Sequence, residues 1–186
     1  MKILVYGAAE FSMTVADLAR HCGHEVIGFV SDNENDLGIL GSLKDVASTH
    51  PPSEIGLAIG IGYRNLSGRW EAWRAAKSLG YGAPPLIHPS AYVADNARVR
   101  NGAMIMARSI VDVKADVGEL AVVWPGACIN HDARVGDNTF LSPGAIVCGF
   151  SKVSSNTFIG AGAIIVDHCT VPAHSFIKAN SVFNGR

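Results

Sequence analysis

From His88 to Phe183 a large apolar residue recurs at every sixth position without a break. The hexads read HPSAYV, ADNARV, RNGAMI, MARSIV, DVKADV, GELAVV, WPGACI, NHDARV, GDNTFL, SPGAIV, CGFSKV, SSNTFI, GAGAII, VDHCTV, PAHSFI and KANSVF. Position six is Val, Ile or Leu in all but the last, which has Phe183, and position four is always Ala, Ser, Thr or Cys. A helix needs an apolar period near 3.6 and a half-buried strand a period of two, so neither accounts for this pattern. A six-residue unit made of a short strand and a corner does, with one large and one small side chain turned inward. Three units close a triangular coil of eighteen residues, and stacked coils pair their backbones at the ordinary strand spacing of about 4.8 Å. Sixteen hexads give a little over five coils, and with no residue inserted or lost, no long loop leaves the prism.

The first 87 residues follow a different grammar. Lys2 to Tyr6 reads as a buried strand broken by Gly7. A helical pattern runs from Glu10 to His21 and stops before Gly23. Glu25 to Val30 reads as a second strand, Gly41 to Ser48 as a short helix, Ile55 to Ile61 as a third strand, and Leu66 to Leu79 as a helix ended by Gly80. Alternating strands and helices predict a small parallel sheet of Rossmann type. The chain therefore divides into an α/β domain, 1–87, and a repeat domain, 88–186, with Ala83 to Ala91 as the hinge.

Composition narrows the function classes. A net charge of −1 and the lack of a basic run argue against nucleic acid. No apolar stretch approaches membrane-spanning length, and MKILVYG is too short for a signal peptide, so a cytoplasmic location is expected. Cys22, Cys128, Cys148 and Cys169 form no C-x-x-C pair and are expected as free thiols.

Two segments carry candidate chemistry. The loop GAAEFS, Gly7 to Ser12, follows a strand and opens a helix, a context that suits a phosphate or ribose. It lacks the later glycines of G-x-G-x-x-G, and Glu10 would repel a pyrophosphate, which argues against a redox dinucleotide. An ordinary tight turn and a nucleotide-sugar site both remain open, and Asp32 sits where such folds read a ribose or base. The sharper signal is INHDARVGDN, Ile129 to Asn138. In the hexad frame Asn130, His131 and Asp132 take positions one to three, where the strand turns outward. Asp132 is close enough to orient the imidazole. Eighteen residues on from His131 stands Gly149, so in the next coil the side chain above the histidine has vanished. A His, a carboxylate and a bare backbone N–H are the minimal set for acyl transfer: a base, its orienter and an oxyanion donor. A solvated corner histidine is the alternative.

The stretches ILVYGA, VIGFVSDN, LAIGIGYRNLSGR, LIHPSA, INHDARVGDNTFLSPGAIVCG and IGAGAII make the chain resemble the sugar acyltransferases of the sialic-acid O-acetyltransferase type. These include N-acetyltransferases acting on nucleotide-linked 4-amino sugars. The resemblance covers nearly the whole chain. It implies a left-handed parallel β-helix of hexapeptide repeats behind the Rossmann-like domain, a homotrimer, and acetyl-CoA as acyl donor with no metal. It implies His131 as general base supported by Asp132. The backbone at Gly149 would receive the thioester oxygen, and Ala161 and Ala179 would hold the pantetheine. The acceptor, a sugar or nucleotide sugar, would lie against Ala9, Glu10, Phe11, Ser31, Asp32 and Gly60. Three departures stand out. The first loop is GAAEF where many relatives have G-A-S-G-H. Phe140 replaces a histidine near the acyl-CoA and could only pack against it. The chain ends at NGR, without the common G-V-P-A tail.

Two other readings are weighed. Some hexapeptide β-helices are zinc carbonic anhydrases, for which His131, His168 and His174 would be the ligands, but the spacing from His131 to His168 is one residue off the coil period. A trimeric binding or scaffold protein without catalysis is the other, and it leaves the alignment of His131, Asp132 and Gly149 without a purpose.

Overall fold

The computed structural model describes residues 1–33 and 38–185. They form two compact units, Met1–Pro84 and Pro85–Arg186.

In the first unit, β1 (Lys2–Tyr6), β2 (Glu25–Val30) and β3 (Ile55–Ile59) form a parallel sheet ordered β2-β1-β3. Helix α1 (Glu10–His21) turns Ser12, Val15, Ala16, Leu18 and Ala19 inward, and α3 (Leu66–Ser78) does the same with Arg69, Ala72, Trp73 and Ala76. The short α2 (Leu43–Val46) begins at Ser42, whose hydroxyl oxygen accepts from the Asp45 N–H. β3 stops at Ile59, two residues before the patterning expects. The cause is Gly60: a Cβ there would lie 2.6 Å from Ser12 Cβ and 3.1 Å from the Tyr6 carbonyl oxygen, so the chain turns tightly against the first turn of α1. Gly7 adopts φ +121° at the end of β1, a region that favours glycine.

The second unit is a left-handed parallel β-helix. Its strands are two residues long and stack in three sheets. The first face holds Leu86–Ile87, Met104–Ile105, Val122–Val123, Phe140–Leu141, Phe158–Ile159 and Phe176–Ile177. The second holds Tyr92–Val93, Ile110–Val111, Cys128–Ile129, Ile146–Val147, Ile164–Ile165 and Val182–Phe183. The third holds Arg98–Val99, Asp116–Val117, Arg134–Val135, Lys152–Val153 and Thr170–Val171. Partners in register are eighteen residues apart, as Cys128 with Ile146 and Ile129 with Val147. The segment read as a hinge contains the first rung, because Leu86–Ile87 pairs with Met104–Ile105. Pro85 stands where the hexad frame asks for a small residue, and so hid that strand from the repeat.

Inward positions obey the hexad rule. Ala103, Ile105, Val111, Ala115, Val117, Ala121, Val123 and their successors are buried in one continuous core. Buried hydroxyls at the small position donate to a carbonyl about one coil on: Ser109 to Trp124 at 3.0 Å, Ser151 to Val166 at 2.8 Å and Thr157 to Pro172 at 3.1 Å. A buried hydroxyl left unbonded would cost about 1–3 kcal/mol, which these bonds avoid. The third residue of fourteen successive corners, Gly102 to Asn180 at six-residue steps, has φ between +54° and +71°.

Candidate active site

His131 and Asp132 lie on the corner between the second and third faces. Asp132 holds the left-handed corner conformation at φ +58°, which Asp tolerates better than most residues. That conformation brings its Oδ2 to 3.3 Å from His131 Nδ1. With a proton on Nδ1 directed at that carboxylate, Nε2 is the ring nitrogen left with a lone pair. One coil on, Gly149 stands over the ring. A Cβ at that position would lie 2.7 Å from His131 Cε1 and 2.8 Å from Nε2, so the imidazole occupies the space that the missing side chain leaves. The Gly149 carbonyl accepts from the His168 N–H at 3.1 Å, while among the described residues its own N–H meets no acceptor. His131, Asp132 and the unpaired Gly149 N–H are thus brought together, as the repeat arithmetic expects.

Three features of this corner escape sequence reasoning. Phe150 follows Gly149, and its ring meets the His131 ring edge-on at 5.2 Å between centroids. The other neighbour of that ring is His168, stacked at 4.9 Å, with its Nδ1 3.0 Å from Asp167 Oδ2. Two thiols also lie close by. Cys128 donates to Asn130 Oδ1 at 3.0 Å, and burial, then Asp112 and Cys148, push its pKa up; burial, then Asp167 and Cys169, do the same for Cys148. Thiols raised in this way are poor nucleophiles at neutral pH. Cys22, Cys128, Cys148 and Cys169 are each only partly buried and unpaired with one another.

Ala161 and Ala179 stack on the corner between the first and second faces, both exposed, with the Asn180 N–H donating to the Ala161 carbonyl at 2.8 Å. Gly160 permits their close approach, since a Cβ there would come within 2.8 Å of Ala179 Cα. The second face separates this corner from His131. Phe140 lies on the outer side of the first face, only 3% exposed, between Trp124 at 5.9 Å and Phe158 at 6.2 Å. Its ring packs along an aromatic column, which within one chain leaves it little surface for a ligand. His174 sits on the corner between the third and first faces, away from His131 and His168, so the three histidines do not converge. Among the described residues no group of His, Cys, Asp and Glu is placed to hold a metal.

In the first unit Ala9, Glu10, Phe11, Ser31, Asp32 and Gly60 follow the carboxyl ends of the three strands, where open parallel sheets present ligands. Ala9 caps α1 without a side-chain bond, and Ala9 and Glu10 are exposed. The Asp32 carboxylate is committed inward: Tyr6 donates its hydroxyl to Oδ2 at 2.7 Å, and the Leu43 N–H donates to Oδ1 at 2.9 Å. Burial, reinforced by Asp32, pushes the Tyr6 phenol well above its usual pKa, so it stays a donor. No helix among the described residues is long and apolar enough to cross a membrane.

Comparison with known proteins agrees with this architecture. Residues 2–71 match the family described as the PglD N-terminal domain. The chain is similar to the acetyltransferase domain of PglB from Neisseria gonorrhoeae FA1090, with 25% identity over 98% of this chain and 91% of that one and a TM-score of 0.88. It is also similar to PerB from Caulobacter crescentus, solved in complex with CoA and GDP-perosamine, with 26% identity over 99% of this chain and 89% of that one and a TM-score of 0.89. No curated protein sequence matches the chain significantly. The resemblance read from the sequence is borne out by both solved relatives and by the N-terminal family.

Proposed function

We propose that this protein transfers an acetyl group from acetyl-CoA to the amino group of a nucleotide-linked sugar, with His131 as general base. The observation that carries the reading is the imidazole lodged in the space left by the Gly149 side chain, beside an N–H with no acceptor. The likeness to PerB, which binds CoA and GDP-perosamine, supports the two substrate classes. In the reaction the sugar amine attacks the thioester carbon while His131 Nε2 takes its proton. Asp132 stabilises the imidazolium and fixes the tautomer. The Gly149 N–H donates to the oxyanion of the tetrahedral intermediate, a type of contact worth about 10²–10³-fold in rate. Collapse expels the CoA thiolate, which the imidazolium reprotonates.

The experiment is a thiol-release assay with acetyl-CoA and a panel of nucleotide sugars carrying a 4-amino group, beside their 4-hydroxy counterparts. Release with an amino sugar and not with its hydroxyl counterpart is the expected result. Release only with hydroxyl acceptors would replace N- by O-acylation, and no release with any acceptor would remove the enzymatic reading.

The working form is a homotrimer with each site between two subunits. Support comes from the second face, whose outward column is Tyr92, Ile110, Cys128, Ile146, Ile164 and Val182, with Tyr92, Ile110 and Val182 exposed. The third face carries Arg98, Asp116, Arg134 and Lys152 in the same places. An apolar face of this length needs cover. It is bounded on one side by the corner of His131 and Gly149, and on the other by that of Ala161 and Ala179. A six-residue side spans at most about 20 Å, so within one prism the base and the pantetheine wall stand about a side apart. Three apolar faces closing on a three-fold axis bring one subunit's first corner to its neighbour's second. Subunit mixing tests this. His131→Ala and Ala179→Trp proteins are each expected to be inactive alone and to regain part of the activity when unfolded and refolded together. Verified mixed trimers that stay inactive would place the site in one chain.

A further inference from the structure

Fourteen successive corners use the left-handed conformation at their third residue, and eight of them place Gly, Asn or Asp there, the residues that accept it most readily. The large apolar exceptions are Leu120 and Phe150, with φ of +57° and +56°. Leu120 is 0% exposed, so burial offsets its strain. Phe150 is 54% exposed, and burial within its own chain does not account for it. A bulky aromatic kept in a disfavoured backbone region on the outer side of a corner points to a local task.

Its contacts define that task. The Phe150 N–H donates to the His131 carbonyl at 3.2 Å, which ties the aromatic residue to the histidine's own backbone. The ring then meets the imidazole edge-on at 5.2 Å and 83°, a favoured aromatic geometry. His168 stacks on the same ring at 4.9 Å and 24°, and Asp167 pins His168 through the 3.0 Å contact to Nδ1. The imidazole is therefore bounded by Asp132 at Nδ1, by the Gly149 backbone in the next coil and by Phe150. His131 is half-exposed, so without that ring solvent would leave χ1 and χ2 free to swing the imidazole outward.

We propose that Phe150 is a positioning residue that holds the His131 imidazole beneath Gly149, with the Asp167–His168 pair bracing the aromatic ring. The proposal rests on the acyl-transfer reading for its effect on rate, but the contact itself is independent of that reading. Nothing in this role touches the acyl donor, so it acts on kcat and leaves the donor's KM alone. Displacements of about 1 Å at a reacting group can cost up to about 10²-fold. A swinging base that revisits its place loses less, and about ten-fold is expected.

The test uses Phe150→Asn and Phe150→Tyr in the full chain. Asn suits the left-handed corner but removes the ring, so stability and activity are expected to separate. The Asn protein should keep or raise its Tm, lose about ten-fold in kcat and keep its KM for acetyl-CoA. The Tyr protein should recover the parental kcat. In parallel, the Cε1–H resonance of His131, assigned by its loss in His131→Ala, should move in Phe150→Asn as the ring current disappears and return in Phe150→Tyr. A parental kcat in Phe150→Asn overturns the proposal. So does a Tm that falls in step with activity, because the ring would then be structural. If the parent protein releases no thiol with any acceptor, the acyl-transfer reading fails by itself. The resonance then decides the contact, and an unmoved signal in Phe150→Asn rejects it.

Discussion

The His131→Ala protein should fold normally and release CoA about 10²–10⁴-fold more slowly than the parent, the usual cost of removing a general base. Folding is expected to survive because the same corner position in other coils holds Asp95, Val113, Gly149 and Asp167. The corner backbone accepts small, branched and charged side chains there, so alanine brings no strain. The imidazole is half-exposed and its losses are local: the 3.3 Å approach to Asp132 and the edge contact with Phe150. Stability should change little, as for other surface substitutions away from the core. Asp132→Asn should do less harm to the rate, since it keeps the corner conformation and loses only the charge facing the imidazolium. Thiol release and circular dichroism together decide the matter. Near-parental release from a folded His131→Ala protein would remove His131 from the chemistry, and an Asp132→Asn protein slower than His131→Ala would reverse the two roles.

Gly149→Val is expected to be at least about 10²-fold slower with His131 untouched, because the oxyanion donor's approach is blocked and the base displaced together. The cause is steric and local. The added Cβ would fall 2.7 Å from His131 Cε1, closer than real Cβ atoms come, and the imidazole must swing out. The backbone itself tolerates valine at this corner position, because Val113 occupies it two coils below. A double-mutant comparison separates the two effects. Gly149→Val should lower Tm in the parent and lower it less in the His131→Ala background, where the ring it strikes is gone. Gly149→Ala should fall between parent and valine in rate. A folded, fully active Gly149→Val protein would contradict the oxyanion role, and equal destabilisation in both backgrounds would mean that the clash is not with His131.

The chain shows plainly which parts of such a protein are written in its sequence. The prism was legible because its period is rigid: one aliphatic and one small residue per hexad fix which side chains turn inward, and eighteen-residue stacking then places Gly149 over His131 by arithmetic alone. In the first unit, α1 and β2 were legible to the residue, since Gly23 and the apolar run Val26 to Val30 punctuate them clearly. What failed was set by contacts between distant residues. β3 ends early because Gly60 packs on Ser12. The rung at Leu86–Ile87 is masked by Pro85. No pattern shows which partners a side chain takes within the fold: the Asp32 carboxylate accepts from Tyr6 and the Leu43 N–H, and the Phe140 ring joins a column with Trp124 and Phe158. Phe150 looks in sequence like Leu120, an apolar residue at a corner, and only exposure tells the two apart.

In the proposed mechanism, the placement of base and donor on successive coils ties activity to the integrity of a seam. Each coil of a solenoid touches only its neighbours, so its stability is a sum of rungs and the seams between them, and segments can open without global unfolding. His131 belongs to one coil and Gly149 to the next, so in the proposed mechanism neither coil alone holds both groups. Loosening this one junction would part them while every other rung keeps its backbone bonds, so activity would be lost before the fold.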